Sequence, residues 1–250
     1  MKARPIFAFA LAALLLTAPA ISLHGQGATA TATPPAQNTA IIPTPFQPQR
    51  HEAFVEIAKK GDIDCLLMGD SITDWWRNRG VAEYDKNFGG LKCANFGIAG
   101  DRTQGVLWRM ENGELEGYTP KLMMLMIGTN NLGGRNPGNT PEQIAEGITA
   151  IVTKFRAKFP EAKVLLLGIF PRGAADTAPQ RKPIKAVNAI IAKLDDGKFV
   201  RYMDIGDKFL QPDGSISAEV MPDGLHPSAK GYEIWAAAVM PTFLELLGRK

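Results

Sequence analysis

The run Leu122-Met123-Met124-Leu125-Met126-Ile127 has no polar position in six residues. A strand built from it has no face to show to water and must be covered on both sides. Val164-Leu165-Leu166-Leu167 makes the same demand. The chain supplies the covering helices. Spacing and turn residues predict strands over 63–69, 91–96, 121–127, 163–169 and 199–204. Helical spacing covers 51–60, 74–87, 102–112, 141–159, 180–195 and 227–247. Strands alternating with helices imply an α/β protein with a five-stranded parallel sheet clothed on both faces. No internal repeat is visible beyond this alternation.

In such sheets, ligand sites collect at the carboxyl ends of the strands. The unusual polar residues of this chain stand at those ends. The first strand leads into Gly69-Asp70-Ser71-Ile72-Thr73 and the second into Asn95-Phe96-Gly97-Ile98-Ala99-Gly100-Asp101. The third leads into Gly128-Thr129-Asn130-Asn131, and Asp223-Gly224-Leu225-His226-Pro227 lies near the C-terminus. Taken singly, each block has a bland reading. Ser71 or Thr73 can cap a helix, Thr-Asn-Asn-Leu-Gly-Gly is good turn chemistry, and Asp223-Gly224 can turn the chain before Pro227 opens a helix.

Taken together, they contain the side-chain types that acyl transfer needs. A serine hydroxyl is a poor nucleophile until a base removes its proton, and histidine is the side chain suited to that near neutrality. Three histidines are present. His24 lies in the N-terminal region and His51 opens the first helix, so His226 is the candidate base by elimination. Asp223, three residues earlier, can orient its ring. Asn130 and the amide of Gly100 are candidate oxyanion donors. With so few histidines no ligand cluster for a metal can be assembled, and no cofactor is expected. Neither a Walker pattern nor Gly-x-Gly-x-x-Gly stands at a strand end, which argues against a phosphate-cofactor module. A Gly-x-Ser-x-Gly elbow is also missing.

These blocks resemble those of the SGNH (GDSL-type) hydrolases. Asn95 to Asp101, Val106-Leu107-Trp108-Arg109, Glu111-Asn112-Gly113-Glu114-Leu115-Glu116 and Pro171-Arg172-Gly173 are similar, further, to the catalytic subunits of intracellular platelet-activating factor acetylhydrolase. The likeness spans roughly residues 55–247. It implies a flavodoxin-like three-layer α/β/α sandwich and a metal-free serine esterase with Ser71 as nucleophile and Asp223 and His226 completing a triad. The amides of Ser71 and Gly100 and the Asn130 side chain would form the oxyanion hole. The resemblance also admits a homodimer. Ser71-Ile72-Thr73 departs from the Ser-Leu of many relatives. Bulky residues at the neck, Ile72, Trp75 and Leu225, together with Thr129 and the loop Leu132–Thr140, are expected to shape a short acyl pocket.

Lys2 and Arg4 precede an apolar run from Ile6 to Leu16, followed by Ala18-Pro19-Ala20. That is the pattern of a cleaved secretory signal over residues 1–20. The Ala, Thr, Pro and Gln-rich stretch 21–49 reads as an extended tether to a catalytic domain over 50–250. Without Lys2 and Arg4 the chain carries 26 basic against 25 acidic side chains, so the formal charge drops from +3 to +1. This balance gives no case for nucleic acid as a partner. Cys65 and Cys93, the only cysteines, both fall in predicted strands, where buried free thiols are the favoured reading and a bridge is the alternative. Export directs the expected acyl-ester substrate toward O-acetylated carbohydrate, with acetylated or lysophospholipids as the alternative. A non-catalytic sugar- or lipid-binding relative is the reading from another class.

Overall fold

The computed structural model describes Met1, residues 37–133 and residues 138–249. The expected signal segment and most of the expected tether lie outside the described residues. Five strands run parallel: β1 (Cys65–Gly69), β2 (Cys93–Gly97), β3 (Leu122–Met126), β4 (Lys163–Leu167) and β5 (Val200–Met203). Their order is β2-β1-β3-β4-β5. Among the described residues seven α-helices accompany them: α1 (Pro48–Ala58), α2 (Ser71–Asp74), α3 (Val81–Phe88), α4 (Thr103–Glu111), α5 (Pro141–Lys158), α6 (Arg181–Ile191) and α7 (Ala229–Leu247).

The central strands β1 and β3 are buried throughout, as their lack of polar positions demands. Leu66, Met68, Met123, Leu125, Val164 and Leu166 pack with residues of α1, α4, α5 and α6. Their neighbours in sequence, Cys65, Leu67, Leu122, Met124, Leu165 and Leu167, face the opposite way and pack with Phe88 of α3 and Trp235, Val239 and Phe243 of α7. The period of two along each strand thus splits the core into two layers.

The stretch 74–87, expected to hold helical segments, is divided between the end of α2, a 3-10 turn and α3. A 3-10 turn covers Trp75–Arg77, and the chain bends before Val81. Packing sets the bend. A Cβ at Gly80 would lie 2.7 Å from the Tyr232 ring, so a glycine there lets α7 close against the bend.

Residues 37–49 correct the expected tether. Thr39–Ile41 forms a 3-10 turn capped by the Asn38 side chain, and Ala40 is fully buried. Thr103 Oγ1 donates to the Ala40 carbonyl at 2.8 Å, and the Thr44 amide donates to the Gln104 carbonyl at 3.1 Å. Pro48 is the first residue of α1. Composition alone misread this piece, because a few specific partners on α4 and α5 hold a segment whose own side chains could not form a core.

The free-thiol reading of the cysteines is also corrected. Cys65 and Cys93 sit opposite one another in the β1–β2 register, with Cα atoms 4.5 Å apart, and form a disulfide. Strand register, which sequence spacing does not reveal, brings the two sulfurs together.

Candidate active site

The order β2-β1-β3 makes β1 the strand from which successive connections depart in opposite directions. At such a switch point the loops diverge and leave a crevice beyond the strand ends. Ser71 follows β1 there as the first residue of α2, with 5% of its surface exposed. A first-turn amide has no acceptor within its own helix, so the Ser71 N–H remains available. Asp70 caps this short helix, its Oδ1 accepting from the Ile72 amide at 3.0 Å. Burial pushes the Asp70 carboxyl up to about 7, against the opposing pull of that amide. The helix is pinned from both sides. Tyr232 Oη of α7 donates to the Ile72 carbonyl at 2.7 Å, and Asn95 Nδ2 of β2 donates to the Thr73 carbonyl at 2.8 Å.

His226 reaches Ser71 from 155 residues away, its Nε2 lying 2.9 Å from Ser71 Oγ. Its Nδ1 lies 2.7 Å from Asp223 Oδ2. Asp223 Oδ1 meanwhile accepts from the amides of Leu225 at 3.1 Å and His226 at 2.8 Å. Burial alone would raise the Asp223 pKa, but the bonds from the His226 amide and ring and the Leu225 amide outweigh it and hold the carboxyl at about 2. The carboxylate is therefore ionised at neutral pH. With Nδ1–H donated to it, Nε2 presents its lone pair to the serine. The loop is anchored by the Gly173 amide, which donates to the Gly224 carbonyl at 2.7 Å. Ser228, rather than Pro227, caps α7 by accepting from the Gly231 amide, so the proline stands just outside the helix.

Trp75, expected to shape the acyl pocket, stands beside His226. Its ring lies against the His226 imidazole with centroids 4.0 Å apart and the planes tilted by 32°, and the Arg79 guanidinium lies 4.3 Å from the Trp75 ring. The indole thus buttresses the histidine. No spacing signal in the sequence ties Trp75 to a residue 151 positions later.

The turn after β2 carries the second group of donors. The Gly97 position has no room for a side chain, since a Cβ would lie 2.4 Å from the Asp74 amide nitrogen. Asp74 Oδ2 accepts from the Ala99 amide at 3.1 Å, which fixes the approach to Gly100. Gly100 has φ +86°, a left-handed conformation that favours glycine. Asn130, after β3, donates from Nδ2 to the Asp101 carbonyl at 2.8 Å. A carboxamide has two N–H bonds, so the second remains for a ligand. Asn131, by contrast, is scaffold. Its Nδ2 reaches Thr103, Gln104 and Asn139, and its Oδ1 accepts from the Thr103 amide.

Beneath this turn lies a buried ion network. Arg109, wholly buried, donates from Nε and Nη2 to Asp101 Oδ2 at 3.1 and 3.0 Å, and it also grips Glu114. Burial pushes the Asp101 carboxyl up to about 6 while Arg109 opposes the rise. His51 Nε2 approaches the Asn112 carbonyl at 3.0 Å, and its ring meets Trp108 edge-on at 4.8 Å. The block from Trp108 to Glu114 therefore serves as the foundation of the Gly100–Asp101 turn, a role that spacing alone does not indicate.

Gly100 and Asn130 line a cleft of about 750 Å³. Its other walls are Thr44 to Gln47, Arg102, Gln104, Gly105, Gly133 and Arg172. Ser71, His226 and the four residues expected to shape the acyl pocket are not among these, so the cleft adjoins the triad on its Gly100–Asn130 side. Ile72 and Thr129 are each 1% exposed and belong to the interior, Trp75 backs His226, and Leu225 is half-buried against the α7 side of the core. Of the expected loop Leu132–Thr140, Gly133 contributes to the cleft, and residues 134–137 lie outside the described residues. Among the described residues no three His, Cys, Asp or Glu side chains converge as a metal site.

Comparison with known proteins agrees in kind. Residues 67–234 match the GDSL-like lipase/acylhydrolase family. Platelet-activating factor acetylhydrolase IB subunit alpha1 of Homo sapiens is 36% identical over 222 residues, covering 85% of this chain and 93% of that protein. The alpha2 subunit of Rattus norvegicus is 37% identical over 183 residues, covering 73% and 77%. Among solved structures, a GDSL-like lipase from Bacteroides thetaiotaomicron superposes with a TM-score of 0.61 at 20% identity, over 78% of this chain and 97% of that one. A variant of an acetyl-xylooligosaccharide esterase from a Geobacillus gives 0.58 at 20% identity, over 77% and 97%.

Proposed function

The chain belongs to the GDSL-like lipase/acylhydrolase family and is a carboxylic ester hydrolase, and on that premise we propose an exported serine esterase that removes short acyl groups, acetyl foremost, from carbohydrate. The observation that carries the catalytic assignment is the hydrogen-bonded chain Ser71 Oγ–His226 Nε2–Asp223, at 2.9 and 2.7 Å, beside the Gly100 turn and Asn130.

In this reading His226 Nε2 takes the Ser71 proton as Oγ attacks the acyl carbonyl. The developing oxyanion receives hydrogen bonds from the Ser71 and Gly100 amides and from the free N–H of Asn130. Such donors act on charge that appears only in the transition state, so they lower the barrier more than they tighten substrate binding. Ionised Asp223 stabilises the imidazolium formed, and His226 then protonates the departing alkoxide. The acyl group is left on Ser71. A water molecule, deprotonated by His226, attacks this ester through a second tetrahedral intermediate. Collapse releases the acid and returns the proton to Ser71.

Export is supported by the N-terminal pattern Lys2 to Ala20 and by the Cys65–Cys93 disulfide, since such bonds persist in oxidising compartments. Export in turn favours carbohydrate as the carrier of the acyl group. A lipid reading has its own support in the relatives named as platelet-activating factor acetylhydrolase subunits. The test is a hydrolysis panel of p-nitrophenyl esters from acetate to palmitate, run beside acetylated xylan and an acetylated ether phospholipid. Acetate is expected to be the best simple ester and xylan the best natural one. Preference for palmitate would overturn the short-acyl reading, and turnover confined to the phospholipid would replace carbohydrate with lipid.

A further inference from the structure

The cleft beside Gly100 and Asn130 carries two guanidinium groups, Arg102 and Arg172. Arginines around the base of the site are otherwise committed. Arg50 and Arg77 both grip Asp74, and Arg109 is shared between Asp101 and Glu114. Arg102 and Arg172 have no ion-pair partner among the described residues. The side chain of Arg172 makes one long bond, from Nη1 to the Thr129 carbonyl at 3.4 Å, leaving most of its five donors unused. Among the described residues that line the cleft only Asp101 carries a carboxylate, and that group is buried with no exposed surface and held by Arg109. The remaining polar lining, Thr44, Gln47, Gln104 and Asn130, is uncharged. The wall thus presents two guanidinium groups with no solvent-facing carboxylate beside them, although the buried Asp70 carboxyl beneath feels the charge of Arg172.

The size of the cleft also matters. At about 750 Å³ it has the capacity of a whole small-molecule site and far exceeds an acetyl group. Under the proposed short-acyl reading, on which this step rests, the cleft therefore receives the alcohol portion of the ester. We infer that the Arg102–Arg172 cleft is a subsite for an anionic group on the alcohol portion, and that this enzyme prefers acyl esters whose alcohol bears a carboxylate or a phosphate. Two guanidinium groups match the flat, two-oxygen edge that both anions present, and charge-assisted bonds of this kind are stronger than neutral ones. The segment Thr44–Gln47 closes the opposite wall. The part of the chain that composition assigns to a tether thus helps to select the substrate.

The experiment compares matched esters differing in charge: acetylated glucuronic acid against acetylated glucose, and 1-acetylglycerol 3-phosphate against 1-acetylglycerol. The readout is the ratio of kcat/KM, anionic over neutral, within each pair. In the wild type one pair is expected to show a ratio of roughly tenfold or more, the weight of one charge-assisted hydrogen bond. The ratio should shrink with added salt and approach unity in Arg102→Gln/Arg172→Gln. The pair that responds identifies the anion as uronate or phosphate. A wild-type ratio at or below unity in both pairs overturns the subsite, as does a preference that the double variant retains. Should that variant fail to fold, the wild-type ratio and its salt dependence still decide. Calorimetric binding of glucuronate against glucose, and of glycerol 3-phosphate against glycerol, to Ser71→Ala separates the two readings. Selective anion binding without turnover of any ester by the wild type sinks the esterase mechanism and leaves the subsite standing. Turnover without anion preference does the reverse.

Discussion

Asn130 is the residue at which a folded turn and an oxyanion donor part company. One of its amide hydrogens is spent on the Asp101 carbonyl at 2.8 Å, which holds the other in a fixed direction. If that second hydrogen meets the oxyanion, Asn130→Ala should lower kcat by ~10²–10³ with little change in KM, because the bond forms only as charge develops. A turn residue would instead cost stability and leave kcat of the folded fraction near normal. Ser71→Ala should be worse than Asn130→Ala, since it removes the covalent route. His226→Ala should fall to a similar level and the double variant scarcely lower, because nucleophile and base act as one unit. The measurement is kcat on p-nitrophenyl acetate for each folded variant. Full activity in Ser71→Ala would discard the mechanism, whereas full activity in Asn130→Ala would remove one donor from it.

The short helix α2 depends on Asp70, whose buried carboxyl has its pKa raised from 3.8 to about 7. The folded chain therefore holds that proton more tightly than the unfolded chain does. Stability from the protonated form is present at low pH and is lost as pH rises toward and through 7. Asp101, raised to about 6, acts with the same sign. Asp223, depressed to about 2, acts oppositely, but its window lies below the usual carboxylate pKa. Urea unfolding should thus show the wild type losing up to a few kcal/mol between about pH 4 and pH 7. Asp70→Asn keeps an oxygen for the Ile72 amide and should shallow this slope. An unchanged slope would assign the pH dependence elsewhere. The strands that flank α2 carry a second expectation. The Cys65–Cys93 bond closes 28 residues of sequence, worth about 2–4 kcal/mol in the chain-entropy picture. Reduction, or Cys65→Ala/Cys93→Ala, should lower the urea midpoint accordingly, and equal midpoints would show that the bridge adds nothing.

Across the whole molecule, residues 37–47 join the domain at a distance from their neighbours in sequence. They contribute a buried Ala40, a bond to Thr103 and one wall of the cleft. A chain beginning at Gln37 should therefore fold and turn over p-nitrophenyl acetate like the full chain. One beginning at Pro48 should melt lower and lose discrimination among alcohols. Equal melting and equal selectivity in both truncations would reduce the segment to a passive cover. The proposed export predicts a mature start after Ala20 or within the next ten residues, read from the intact mass of secreted protein. Retention of Met1 to Leu16 in that material would reject cleavage.

Local chemistry was enough for much of this protein. Apolar strands without a polar face required a two-sided parallel sheet, and the polar blocks at their ends named Ser71, Gly100, Asn130, Asp223 and His226 as a set. Each block is a short run whose residue types have few other uses together, so its content survives without coordinates. What the tertiary structure decided concerns pairs far apart in sequence. Register joined Cys65 to Cys93, packing against α7 fixed the bend near Gly80, and the fold brought the Trp75 ring against His226. Ile72 and Thr129 went into the interior because the faces of α2 and the β3 turn are set by the sheet beneath them. The walls of the cleft beside Gly100 and Asn130 include residues 44–47, Arg102 and Arg172, three segments with no common sequence signal. Strand order alone brings them together, because a pocket is made of the space between segments and no single segment encodes it.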